Sequence, residues 1–142
     1  MDAGSSVAVA ATFVWLGMVL AISFLEAPLK FRAPGITIPL GLGIGRLVFR
    51  ALNGVETVLA VVVAVGLAAG SPGTGPVVAF VVAVLALVVQ LVAVRPRLAR
   101  RSDAVLEGGY DGERSSTHLY YVALELVKAP ALLVAGTLLL AH

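Results

Sequence analysis

Apolar runs long enough to cross a bilayer occupy most of this 142-residue chain, with polar punctuation between them. A spanning helix needs about 20 mostly apolar residues, and four such runs occur at residues 7–25, 47–69, 76–94 and 120–140. The stretches between them hold the helix breakers. GSPGTG at 70–75 has the Gly and Pro content of a tight turn. Pro28, Pro34 and Pro39 rule out one continuous helix from the first run into the second, and Gly35 permits a turn, so an ordered re-entry is expected there. The segment 95–117 begins as a basic continuation of the third run, passes through Gly108, Gly109, Asp111 and Gly112, and ends in Ser115, Ser116 and Thr117, candidate N-caps for the last helix. The pattern predicts an all-α protein, a single domain over residues 1–142 built as an integral membrane four-helix bundle.

Composition narrows the class. With 60% hydrophobic residues, 13% charged residues and a mean hydropathy of +1.05, an ordinary soluble domain is excluded. The absence of cysteine removes disulfides, thiolate metal sites and redox thiol pairs. No metal-ligand spacing, nucleophile triad or phosphate loop is present, and neither a metal nor a cofactor is expected. The isoelectric point of about 9.4 reflects loops facing anionic membrane lipids rather than nucleic acid, which would need a basic face on a soluble domain. Residues 1–6 carry Asp2 and no Lys or Arg, so the first run lacks the positive start of a signal peptide and is read as a retained helix.

The basic residues orient the bundle. Lys30, Arg32, Arg46 and Arg50 lie between the first and second runs, and Arg95, Arg97, Arg100, Arg101 and Arg114 between the third and fourth, nine of the ten in all. By the positive-inside rule, loops 26–50 and 95–117 are cytoplasmic and both termini lie outside, in what is expected to be a bacterial plasma membrane. So strong a bias argues against an antiparallel dimer of dual topology.

Charges inside the apolar runs are the candidate chemistry. A rise of about 1.5 Å per residue puts Glu56 about 9 Å below Arg50, Glu125 about 7 Å below Tyr120 and Lys128 about 12 Å below it, so that Glu56 and Lys128 can meet. At about 100° per residue, His118, Tyr121, Glu125 and Lys128 fall within an arc of about 80°, and Arg46, Arg50, Asn53 and Glu56 within about 120°. Gln90, Ser23 and Glu26 lie at similar depth. A charge at the bilayer centre costs about 2.5–3.5 kcal/mol on insertion scales, which makes such residues functional by default, although a paired Glu and Lys also serves simply to hold a bundle together. Two carboxylates on one lysine leave a surplus negative charge, to be met by a proton, by Arg50 or by a cationic ligand.

The outer half of the bundle offers only Thr12, Thr57, Thr137 and the Trp15 indole, with no charge. This describes a polar pocket open to the cytoplasm above an apolar floor, suited to an apolar or amphiphilic molecule. Glu56, Glu125 and Lys128 are the expected catalytic groups. Glu26, Lys30, Arg46, Arg50, Asn53, Gln90, His118 and Tyr121 are the expected substrate-binding groups. Within the segment 24–56, Gly41 and Gly45 form a small-xxx-small face for close helix contact, and Lys30, Arg32 and Arg46 suit a phosphate or carboxylate headgroup, or ordinary lipid anchoring. Pro130 removes a backbone bond just beyond Lys128 and is expected to bend the fourth helix.

Four spans, the aromatic and proline pattern after the first (Phe24, Pro28, Phe31) and the Ser and His opening the last (Ser116, His118) resemble the small membrane family named after transmembrane protein 205. The resemblance covers most of the chain and implies the four-span fold. It implies no catalytic role, and Glu125 with Lys128 is not part of its pattern.

The favoured reading is a membrane-embedded enzyme or binding protein using buried carboxylates for acid–base chemistry, such as isomerisation, cyclisation or hydrolysis of an isoprenoid-like or lipid-like substrate. The alternatives are a small proton- or cation-coupled transporter and a structural subunit of a membrane complex. A homo-oligomer is expected, since four thin helices shield a polar layer poorly.

Overall fold

Asp2 starts the first helix: its side chain accepts the Ser5 backbone N–H at 2.7 Å, satisfying one donor that no preceding turn can reach. In the computed structural model, which describes residues 1–94 and 116–141 and the side chains of all of these except 94 and 116–119, the helix α1 (Ala3–Val19) widens into a π-helical segment (Leu20–Glu26). There the Ala27 N–H reaches five residues back to the Ile22 carbonyl. A short α2 (Ala27–Lys30) completes the first long helix, with Pro28 in its first turn. Helix α3 (Ile38–Ala69) follows, then α4 (Thr74–Val89) with its own π-helical extension (Gln90–Val94), and α5 (Ser116–Ala141).

All described elements are helical, and four helices are long and apolar enough to cross a membrane: Ala3–Lys30, Ile38–Ala69, Thr74–Ala93 and Tyr120–Ala141. The first two extend further than the hydropathy runs predict. The ordered re-entry is confined to residues 31–37, with Gly35 at φ 79°, and the chain winds again from Ile38, well before residue 47. Thr37 caps the new helix by accepting the Leu40 N–H at 3.2 Å, and Pro39 sits in the first turn, where a missing N–H leaves no bond unmade. Pro39 thus begins a helix rather than breaking one, and Pro28 lies within the continuous helix Ala3–Lys30.

Helices α1 and α3 form one close pair and α4 and α5 another, joined through α1 against α5. Helices α3 and α4 barely touch despite the short turn between them, and α3 and α5 are diagonal across the bundle. Small residues set the close crossings. A Cβ added at Gly66 would lie 2.7 Å from the Gly4 carbonyl oxygen, and one at Gly4 equally near that of Gly66. On the other side of α1, Gly136 makes room for the Phe13 ring. Gly41 and Gly45, expected to admit a neighbouring helix, instead admit the chain's own Phe31 ring and Lys30 side chain.

The interior combines small and polar side chains, while Val58, Val61, Val65, Leu85 and Leu133 are exposed. Bulky aliphatics such as Leu52, Leu87 and Leu132 fill the core as well, and it is the apolar exterior that departs from a water-soluble bundle. Two apolar clusters line the interior, one around Trp15, Ala83 and Leu132 and one around Ala8, Val63 and Leu139, with Leu59 and Phe80 packed against both. Thr57 and Thr137 donate to carbonyls within their own helices, so their hydroxyls are satisfied locally.

Candidate functional site: a buried charge centre

Lys128 sits where three helices converge, and it is completely buried. A lysine ammonium has three donors and no acceptor. Its Nζ lies 2.6 Å from Glu56 Oε1 on α3, 2.5 Å from Glu125 Oε1 one turn earlier on α5, and 2.7 Å from Gln90 Oε1, the first residue of the second π-helical segment. All three protons therefore have acceptors.

Glu125 is held as completely. Its Oε1 accepts from Lys128 and from Gln90 Nε2 at 2.6 Å, and its Oε2 accepts from Ser23 Oγ at 2.5 Å. Ser23 reaches it from the first π-helical segment, and Gln90 Nε2 also points at the Tyr121 carbonyl, 3.4 Å away. Gln90 is thus oriented at both ends, its carbonyl toward the cation and its amide toward the anion. Buried polar groups linked this way cost least when every member is satisfied.

Glu56 is the exception. Its Oε1 takes both the Trp15 indole N–H at 2.8 Å and Lys128, while its Oε2 is buried with no hydrogen-bond partner among the described residues. One turn earlier on the same face of α3, Asn53 accepts the Tyr121 hydroxyl on Oδ1 at 3.3 Å, and its Nδ2 is likewise buried without a partner there. Counting one cation against two carboxylates, the centre carries a formal charge of −1, and Oε2 of Glu56 is the carboxylate oxygen of the pair left bare.

Most of the residues read from the sequence as a polar layer meet here. Glu56, Glu125, Lys128, Gln90, Asn53 and Tyr121 form one connected cluster, enclosed by a single chain with no second copy needed. Arg46 and Arg50 do not join it: both are exposed, although they share an arc of α3 with Asn53 and Glu56. Arg50 therefore does not balance the surplus carboxylate. Lys30 is half-buried in a separate setting, its Nζ 5.5 Å from the Phe31 ring centroid and 5.7 Å from that of Phe49, which in turn packs edge-on against Tyr121. Glu26 is half-buried, with Oε2 enclosed and unpartnered among the described residues. The His118 side chain and the loop 95–115 lie outside the described residues.

Of the two remaining members of the centre, Ser23 is placed in the polar layer by its depth and Trp15 alone escapes the sequence reading. Trp15, expected in the apolar outer half, donates to Glu56, and Ser23 closes the coordination of Glu125. The available signal for Trp15 is that it is the chain's single tryptophan and that an indole N–H in an apolar span needs an acceptor.

Compared with protein families, curated proteins and solved structures, the chain matches none.

Proposed function

We propose that this is an integral membrane protein whose buried centre holds a proton at Glu56 for acid–base chemistry on, or binding of, an apolar or amphiphilic molecule. The observation that carries this reading is the unequal satisfaction of the two carboxylates: Glu125 accepts from three donors, whereas Glu56 leaves Oε2 bare. A buried surplus charge is neutralised rather than tolerated, and the bare oxygen is where a proton has room. Such a carboxylic acid is a competent general acid. The exposed bulky faces take lipid, the two basic loops lie in the cytoplasm and both termini lie outside. The loose seam between α3, which carries Glu56, and α4, which ends at Gln90, is the route by which a lipophilic molecule enters sideways from the bilayer.

Infrared spectroscopy of the purified protein tests the reading, together with mass spectrometry of co-purifying small molecules. A protonated carboxyl C=O band that disappears in Glu56→Gln and persists in Glu125→Gln is expected, with a lipophilic molecule retained by the wild type and released by Glu56→Gln. A spectrum without a carboxylic acid band would overturn it.

A proton-coupled carrier is the second reading, favoured by Thr12 and Glu26. Each has a buried oxygen with no partner among the described residues, and they lie on either side of Trp15 and Ser23 along the first span, so they extend the polar line beyond the centre. Proton uptake into proteoliposomes that depends on Glu56 would select this reading over the first.

A further inference from the structure

Glu56 and Asn53, one turn apart on one face of α3, each leave a buried polar atom, of opposite character, unmet among the described residues. The positions are three residues apart on α3, so their Cβ atoms are about 5–6 Å apart on one face of the helix. Asn53 is 2% exposed and Glu56 is not exposed at all. Each is fixed from its other end. The Tyr121 hydroxyl occupies Asn53 Oδ1, which leaves Nδ2 as the outward amide atom, and Trp15 and Lys128 both occupy Glu56 Oε1, which leaves Oε2. One atom is an obligate donor and the other a carboxyl oxygen.

We propose that Asn53 Nδ2 and Glu56 Oε2 together hold a hydroxyl oxygen, supplied by a buried water or by the alcohol head of an amphiphile. The inference rests on the reading of the centre as a proton-holding site and names the chemistry of what that site binds. A hydroxyl fits both protonation states of Glu56. Against the carboxylate it accepts from Asn53 and donates to Oε2; against the acid it accepts from both, having two lone pairs. An ether or carbonyl oxygen cannot donate to the carboxylate, and an ammonium would set its donors against the Asn53 amide. A buried donor or acceptor left unmet costs about 1–3 kcal/mol, and a hydroxyl spares Asn53 Nδ2 and Glu56 Oε2 that cost in either state.

Two measurements on the purified protein test this and separate the sources. Infrared difference spectra between ordinary and oxygen-18 water read a bound water, and native mass spectrometry with dodecanol, against dodecyl methyl ether as control, reads an alcohol head. One of two results is expected: an isotope-sensitive O–H band abolished by Asn53→Leu, or saturable dodecanol binding weakened at least tenfold by Asn53→Leu and exceeding that of the ether. Asn53→Ala is the second variant should Asn53→Leu fail to fold. If both variants match the wild type in both measurements, the inference is overturned. The carboxylic acid band of Glu56 is insensitive to water isotope, so its loss would sink the proton reading and the loss of the hydroxyl signal alone would sink only this one.

Discussion

Lys128 bonds Glu56 at 2.6 Å across the diagonal of the bundle, between helices that are not neighbours along any edge. An ammonium on a four-carbon stem spans the gap that backbones leave open, and the apolar packing of α1 against α5 keeps the gap narrow enough to be spanned.

Removing that cation leaves the buried Glu125 carboxylate without a counter-charge. Lys128→Met is expected to destabilise the protein by about 3–5 kcal/mol, read as a lowered midpoint of thermal unfolding in detergent. Adding Glu125→Gln to that variant recovers part of the loss, because the orphaned charge is then gone. A Lys128→Met protein as stable as wild type would mean that the ion pair contributes nothing to holding the bundle.

Trp15 gives the centre an optical reporter, since it is the chain's single tryptophan and donates directly to Glu56. Its fluorescence maximum is expected to move in Glu56→Gln and to stay in Glu26→Gln. Trp15→Phe, which deletes the N–H, is expected to cost about 0.5–1.5 kcal/mol, the net value of a hydrogen bond to an uncharged acceptor.

Glycines at the helix crossings separate by what surrounds them. Gly66→Val is expected to cost about 1–3 kcal/mol or more, because the new side chain meets the backbone oxygen of Gly4, which cannot swing aside. Gly54→Ala meets nothing within 4 Å and gains about 0.5–1 kcal/mol from helix propensity. Thermal unfolding of the two variants in parallel checks both signs.

Asp2 makes the start of α1 sensitive to acid. The Ser5 backbone N–H holds its carboxyl below the usual aspartate value of about 3.9. A folded-state value depressed in this way contributes stability that is present above the unfolded value and lost as pH falls through the folded one. The carboxyl carbon resonance of Asp2 is therefore expected to titrate below about 3.9, with the Ser5 amide resonance moving at the same midpoint. In Asp2→Asn the Ser5 amide keeps one position across that range.

The charged part of the centre is legible in the sequence because a charge in an apolar helix has few places to go, and helical rise and phase locate Glu56, Glu125, Lys128 and Gln90 to within a turn. Trp15 is not legible in the same way, and Ser23 is legible in its depth but not in its direction. Tryptophan counts as apolar in any hydropathy reading, although one of its atoms is a strong donor. Ser23 lies in a π-helical stretch, where the α-helical angle of about 100° per residue no longer predicts direction. Arg46 and Arg50 show the converse error. They share an arc with Glu56, but a shared arc holds a face only as far as the neighbouring helices continue beside it.

The wide turns at Leu20–Glu26 and Gln90–Val94 make the centre conditional. Each holds one residue of slack, and drawing the first taut into ordinary α-helix would swing everything beyond it by about 100° around its axis. Ser23 would leave Glu125, and Lys30 would be drawn off the Phe49 ring in the same movement. A pull on the loop after Lys30 and the hydrogen bonding of a carboxylate deep in the bundle are thus two ends of a single lever.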